Sequence, residues 1–283
     1  MKTAIIATFL ITVWSQFSLA QVKLAKSKAP FTKVLIVMFE NCSYQNALEQ
    51  PYFSKFAQEG ALLTHFSAES HPSQGNYIAL VSGDEYNARY DRSVIVQAQN
   101  IGDLLTEKGL TWKNYAEGYP GGCFLGSRYG RYVRKHVPFI SFADVENNPA
   151  NCSNVVNASQ WQSDLAANSL PTFSFYSPNI DDDGHNTGPA FASQWFANFM
   201  HNLKQYPKAT KGLLIIATFD EGSRSSYTNH IYTALYGAGV KPGSSSNLPY
   251  NHYSLLRTIE TNLNLGTLGK QDANATPIQG VWK

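Results

Sequence analysis

The chain has 283 residues and a formal net charge of +2, and charged residues make up only 15% of it. Such a balance creates no strong global field, which argues against a protein that gathers nucleic acid or an acidic membrane by charge alone. Hydrophobic residues at 43% and aromatic residues at 13% supply enough apolar surface for a sizeable core, and the length suits one large α/β domain or two small ones.

Residues 1–20 read as a secretory leader. Lys2 gives the positive start, 4–11 form an apolar stretch, and Ser18-Leu19-Ala20 offers a small-x-small cleavage site before Gln21. Ser15 and Gln16 interrupt the apolar run, which is too short for a convincing membrane span, and the chain has no other candidate. The expected product is exported, secreted or periplasmic, with no stable membrane insertion. A buried-type strand is predicted over 34–39, where the residues are continuously apolar and β-branched. A helix over 51–58 ends at Gly60, and helical spacing over 76–81 stops at Gly83. Another helix covers 101–108 and closes at Gly109, and a strand follows at 111–116. Residues 118–157 are rich in Gly, Pro, Asn and Tyr without periodicity, and read as an insertion or long loop over the site. Beyond it come a helix near 159–167, a strand at 172–176, a helix at 190–203, strands at 213–219 and 231–235, and a last helix at 253–263. Strand and helix alternate, which predicts an α/β fold with a mostly parallel central sheet covered by helices on both faces.

Three cysteines leave at least one unpaired. Cys123 with Cys152 is the expected bridge, since both lie in the loop-rich stretch. Sequons stand at Asn41, Asn151, Asn157 and Asn274. The basic run Arg128, Arg131, Arg134 and Lys135 reads either as a solvated loop or as a patch that meets an anionic substrate.

Polar clusters recur just past the predicted strands, at the edge where open α/β sheets bind ligands. Glu40-Asn41 follows the first strand and offers hard oxygen ligands for a divalent cation, or a turn. Ser73, within Ser70-His71-Pro72-Ser73-Gln74-Gly75-Asn76-Tyr77, heads a helix. It would serve as a plain cap, or as a nucleophile where the helix N-terminus favours a phosphoryl group. Asp181-Asp182-Asp183-Gly184-His185 follows the strand at 172–176, and Asp181 and His185 can converge on one metal. Asp220-Glu221-Gly222 follows the strand at 213–219, with His230 beyond; two adjacent carboxylates there repel unless a cation or water screens them.

These residues resemble the phosphoesterase family that includes acid phosphatases and phospholipases C, within the alkaline-phosphatase-like superfamily. The resemblance spans about 33–265 and rests on Glu40-Asn41-Cys42-Ser43-Tyr44, His71-Pro72-Ser73 with Asn76-Tyr77, Phe219-Asp220-Glu221-Gly222, Asn229-His230 and the stretch from Tyr250-Asn251-His252 to Glu260. Nucleotide pyrophosphatases of the same superfamily share the spacing of Ser73, Asn76 and Leu80-Val81-Ser82-Gly83, and their Asp-x-x-Gly-His-x-x-Gly-Pro motif matches Asp181 to Pro189.

The resemblance implies a single domain over 21–283 that hydrolyses phosphoric esters, with Ser73 as nucleophile and a phosphoseryl intermediate. It implies one divalent metal on Glu40, Asn41, Ser73, Asp220 and Glu221, and leaves open a second on Asp181, His185 and His230. Asn76 would contact a phosphoryl oxygen, and His71, His185 or His230 would move protons. His252 would be either a family site feature or a simple cap. The implied partner is a small phosphorylated substrate or a phospholipid head group, with no nucleic acid. A phosphodiesterase or phospholipase C is the alternative, ahead of a sulfatase, whose modification motif Ser73 lacks. A phosphate- or phospholipid-binding protein without turnover is the non-enzyme alternative.

Overall fold

The computed structural model describes residues 31–223 and 228–283; the leader expected at 1–20 lies outside them. In chain order the strands are β1 (Lys33–Phe39), β2 (Ala61–Leu63), β3 (Trp112–Ala116), β4 (Arg128–Tyr129), β5 (Tyr132–Val133), β6 (Val155–Asn157), β7 (Phe173–Ser177), β8 (Leu213–Phe219), β9 (Thr233–Gly237) and β10 (Ser244–Ser246). Eight of them form one sheet in the order β10-β2-β9-β8-β1-β7-β3-β6, and β4 and β5 pair as a separate hairpin. The run β8-β1-β7-β3-β6 is parallel throughout, and β9 is antiparallel to both its neighbours. This is the mostly parallel α/β architecture that the alternation of strand and helix predicts.

β1 and β8 lie at the centre, and apart from Lys33 at its start every residue in them is buried. Their lack of polar alternation follows, since helices cover both faces of such a strand. At their carboxyl ends Phe39 and Phe219 approach to 5.5 Å, and both pack on Phe53 from the Pro51–Glu59 helix, at 5.0 and 5.3 Å. Phe196 of the Pro189–Leu203 helix closes the cluster against Phe39 at 5.3 Å. The two strand ends are therefore fixed by aromatic packing before any polar contact is counted.

The 118–157 stretch is more ordered than its sequence suggests. It holds the β4–β5 hairpin, 3-10 turns at Arg134–His136 and Pro138–Ser141, helices at Ala143–Glu146 and Pro149–Cys152, and β6. Each piece is five residues or shorter, too brief to show a period. Val137, Phe139, Ile140, Phe142 and Val145 nevertheless enter the core. Cys123 and Cys152 are disulfide-bonded, as expected, and Cys42 is a buried free thiol. No helix among the described residues is long and apolar enough to cross a membrane.

Glu260, on the His252–Leu263 helix, is fully buried. Burial, and then the neighbouring Asp272 carboxylate, push its carboxyl up to about 8. Below the ordinary value near 4.5 it is protonated folded or unfolded; between there and about 8 only the folded chain holds the proton. Its contribution to stability is thus complete in acid and is lost as pH rises through that window. Glu260→Gln, which keeps the shape and removes the charge, should raise the melting temperature relative to the native chain at pH 8 and change it little at pH 4.5. An equal effect at both pH values in thermal melts would contradict this account.

Candidate active site

Four carboxylates gather where the parallel strands end. Glu40 follows β1, Asp220 and Glu221 follow β8, and Asp183 comes on the loop after β7. Phe39 pairs with Phe219 in register, so Glu40 and Asp220 leave the sheet side by side. Backbone bonds tie the exits together: Asp220 N–H donates to Phe39 O at 2.9 Å, Glu40 N–H to Asp183 O at 3.0 Å, and Cys42 N–H to Glu221 O at 3.0 Å. Asn41 adopts a φ of 51°, a left-handed turn that Asn tolerates better than most residues. The turn aims its N–H at Asp220 Oδ1, 2.8 Å away.

Ser73 holds the N-cap position of the Gln74–Ser82 helix, yet its hydroxyl makes no capping bond. It donates to Glu40 Oε2 at 3.0 Å and lies 3.4 Å from Glu221 Oε1. The plain capping bond that its position allows is therefore not made. His71 Nδ1 bonds the other Glu221 oxygen, and its side chain is 34% exposed, which sets an imidazole between the carboxylates and solvent. Two donors of the helix start are already engaged, Gln74 N–H with Asp91 Oδ1 at 3.0 Å and Asn76 N–H with Ser73 O at 3.0 Å. Asn76 itself is buried, and its amide is committed to the preceding loop. Oδ1 accepts from Glu69 and Ser70 N–H at 2.9 and 3.1 Å, and Nδ2 donates to Ser70 O at 2.9 Å. Asn76 thereby shapes the loop that carries Ser73.

Of Asp181, His185 and His230, the residues expected at a second metal, Asp181 and His185 are joined through the Asn186 amide, whereas His230 is engaged elsewhere. Asp181 turns to Arg131 and to Asn186 Nδ2. His230 Nε2 bonds Thr64 O at 3.0 Å, with its ring stacked on Tyr44 at 4.3 Å. His185 Nδ1 bonds Asn186 Oδ1 at 3.0 Å. The loop after β7 winds tightly, so its three aspartates point three ways: Asp181 to Arg131, Asp182 to Asn179, and Asp183 inward.

Among the described residues, the group that does converge is Glu40, His136 and Asp183, whose ligand atoms all lie within 4.8 Å of one another. His136 Nδ1 is 3.0 Å from Asp183 Oδ2, and its Nε2 is 3.0 Å from Glu40 Oε1. Its ring stacks on Tyr77 at 5.2 Å, and the His185 ring lies 6.0 Å away. Sequence reasoning misses His136 and Asp183. The one pointer to His136 is its place beside the basic residues Arg134 and Lys135.

The electrostatics are those of charge kept from water. Burial is the largest cause in each case. It raises Glu40 and Asp220 well above the carboxylate range, helped by Asp183 and by Glu40 respectively, and lifts Asp183 and Glu221 to about 8. Burial also lowers His136 well below the usual histidine value, leaving a neutral ring able to act as a ligand. At Lys135 burial opposes the charge, but Glu40, Asp91 and Asp220 outweigh it and raise the ammonium.

The donor set fits a divalent cation. Asn41 Oδ1 and Asp220 Oδ2 are buried without a hydrogen-bond partner, and Glu40 Oε1 and the lowered-pKa His136 Nε2 face only each other at 3.0 Å; a buried polar atom left unpaired costs about 1–3 kcal/mol, and more when charged. The carboxylate and amide oxygens are hard ligands, and one cation would relieve both the repulsion and the missing bonds.

Comparison with known proteins identifies the family. The model of the Phosphoesterase family matches residues 42–266. A probable acid phosphatase of Kluyveromyces lactis is 34% identical, over 89% of this chain and 63% of that protein. A phosphatidylinositol-3-phosphatase of Mycobacterium tuberculosis is 33% identical, over 98% of this chain and 92% of the relative. The chain thus spans about six-tenths of the length of the yeast relative and nearly all of the mycobacterial one. In fold, a protein of the alkaline phosphatase superfamily from Vibrio parahaemolyticus superposes with a TM-score of 0.59 at 12% identity, covering 89% of this chain and 71% of that one.

Adding a divalent cation to chelator-stripped protein should raise its melting temperature. The underlying stabilisation should approach about 2.7 kcal/mol at a hundredfold excess over Kd. It should be larger at pH 8 than at pH 5, because protons compete for carboxylates whose affinity for them is raised. Asp220→Asn should remove most of the response. Scanning fluorimetry showing no cation effect at either pH would remove the metal-centre reading.

Proposed function

The chain belongs to the Phosphoesterase family, and from that premise we propose that it hydrolyses phosphoric monoesters through Ser73, with a phosphoseryl intermediate. The observation that carries this reading is the Ser73 hydroxyl, which leaves its capping role and turns onto carboxylates whose neighbours hold unpartnered ligand atoms. A divalent cation would be held by Glu40, Asn41, Ser73, Asp220 and Glu221, with Asp183 and His136 on the far side of Glu40. When bound it would supply Lewis-acid stabilisation of the hydroxyl as an anion.

In the first step Ser73 Oγ attacks phosphorus, its proton passes to a neighbouring carboxylate, and the P–O bond to the alcohol breaks. His71, at the mouth and bonded to Glu221, is placed to hand a proton to the departing oxygen. The second step runs in reverse sense with water as the attacking group. Lys135 offers positive charge to the phosphoryl oxygens.

Export is part of the proposal. The leader pattern at 1–20 supports it, and so does the Cys123–Cys152 bridge, since disulfides persist in oxidising compartments. A second reading, a substrate presented by a lipid surface, is favoured by one observation. Tyr90, Ile95, Leu125 and Tyr129 are large and exposed on the segments around the site, where Arg134 clasps the Val94 and Leu125 carbonyls together. The mycobacterial relative acts on phosphatidylinositol 3-phosphate by its name.

Ser73→Ala should lower turnover of p-nitrophenyl phosphate by about 10³-fold or more with an unchanged circular dichroism spectrum. Near-normal activity in that variant would sink the nucleophile assignment. Hydrolysis of bis-p-nitrophenyl phosphate with no action on the monoester would move the reading to a phosphodiesterase.

A further inference from the structure

Beside the carboxylates lies a cavity of about 220 Å³ lined by Gln74, Asp91, Arg92, Arg128, Arg134 and Lys135 among others. Its link to the reacting centre is direct. Gln74 is the residue after Ser73, and Asp91 receives the Gln74 N–H. Lys135 bonds Asp91 at 2.7 Å while feeling the charges of Glu40 and Asp220. The Asp91–Lys135 pair is thus a wall shared by cavity and cluster.

Two features mark the cavity as built for a ligand. Gln74 is 1% exposed, and its side-chain Oε1 is buried with no hydrogen-bond partner. The charges are also unequal. Arg134 is neutralised by Glu146 and bonded to the Val94, Ile140 and Leu125 carbonyls, and Lys135 is matched by Asp91. Arg92 and Arg128 make no salt bridge among the described residues; Arg92 lies over the Tyr90 ring and Arg128 Nε donates to Gly130 O. What remains along the lining is the buried Gln74 with its unpartnered amide oxygen, and two exposed guanidiniums without a carboxylate partner among the described residues.

We propose that this cavity is a leaving-group subsite for an alcohol that carries a second anionic group, with Arg92 and Arg128 binding the anion and Gln74 accepting from a hydroxyl of the same alcohol. The inference rests on hydrolysis at Ser73. It narrows the substrate class to phosphomonoesters of polyols bearing another phosphate, whether free in solution or as part of a lipid head group. A guanidinium matches such a group with parallel N–H donors. The unsatisfied amide oxygen discriminates against alcohols that cannot donate to it.

The test compares kcat/KM on glucose 1,6-bisphosphate, on phosphatidylinositol 3-phosphate in mixed micelles, and on phenyl phosphate, which has neither a second anion nor a hydroxyl. The native enzyme should prefer at least one of the first two, and which one identifies the source of the anion. In an Arg92→Gln, Arg128→Gln double variant the ratio of that substrate to phenyl phosphate should fall about tenfold or more. Gln74→Leu should lower it independently. A native enzyme with no preference, or a ratio unchanged in both variants, overturns the subsite. Absence of hydrolysis of all three substrates by the native enzyme would instead strike at the reading of Ser73, so the two failures are separable.

Discussion

The burial of several carboxylates at one sheet edge is the constraint on which the rest of this structure depends. Glu40, Asp183, Asp220 and Glu221 are all almost inaccessible to water, and like charges so placed drive one another apart or take up protons. They stay together because the backbones bearing them cannot move. β1 and β8 are paired over seven residues in register, and their last residues, Phe39 and Phe219, are locked in an aromatic cluster. Truncating a ring in such a cluster costs about 3–5 kcal/mol, so moving a strand end to relieve the repulsion is expensive. Electrostatic discomfort is therefore retained at the site, where a cation can relieve it.

What the sequence made legible follows the same logic. Long apolar runs announced β1 and β8, and the polar residues after them, Glu40, Asn41, Asp220 and Glu221, were readable because position after a buried strand is itself a signal. Ser73 was readable as a helix start, but whether its hydroxyl caps that helix was not, since a capping and a non-capping Ser occupy the same position. β2, β6 and β10 are three residues each and went unread. His136 escaped for a related reason: it sits on a three-residue 3-10 turn within a stretch of short elements.

The loop after β7 shows where resemblance and geometry part. Motif spacing selected Asp181 together with His185, whereas the folded loop presents Asp183 to Glu40 and His136. Adjacent aspartates in a tight turn differ in direction by large angles, and only tertiary partners decide which one faces the centre. Arg131 on the β4–β5 hairpin and Asn179 in the loop hold the other two away. One sequence pattern can thus serve two arrangements of ligands, depending on an element far away in the chain.

His252 shows how Ser73 is kept in register with the strand that faces it. It is not the cap of its helix; Asn251 holds that position, with its side chain accepting from Ser254 N–H. His252 instead bonds Glu69 through Nδ1 at 2.5 Å and Phe219 O through Nε2 at 3.1 Å. Glu69 in turn gives its N–H to Asn76, and Asn229 bridges Ser70 O and Gly222 N–H. The loop before Ser73, the end of β8 and the last helix are therefore joined through buried polar bonds. Burial works against charge on His252, but Glu69 outweighs it and raises the imidazole above its ordinary value. An imidazolium holding both Glu69 and a carbonyl needs both ring protons, so the clasp is whole only while the ring stays charged. The division of labour is then physical: one compensated ion pair behind the site fixes where Ser73 stands relative to Asp220, and the uncompensated carboxylates in front are left for the ligand.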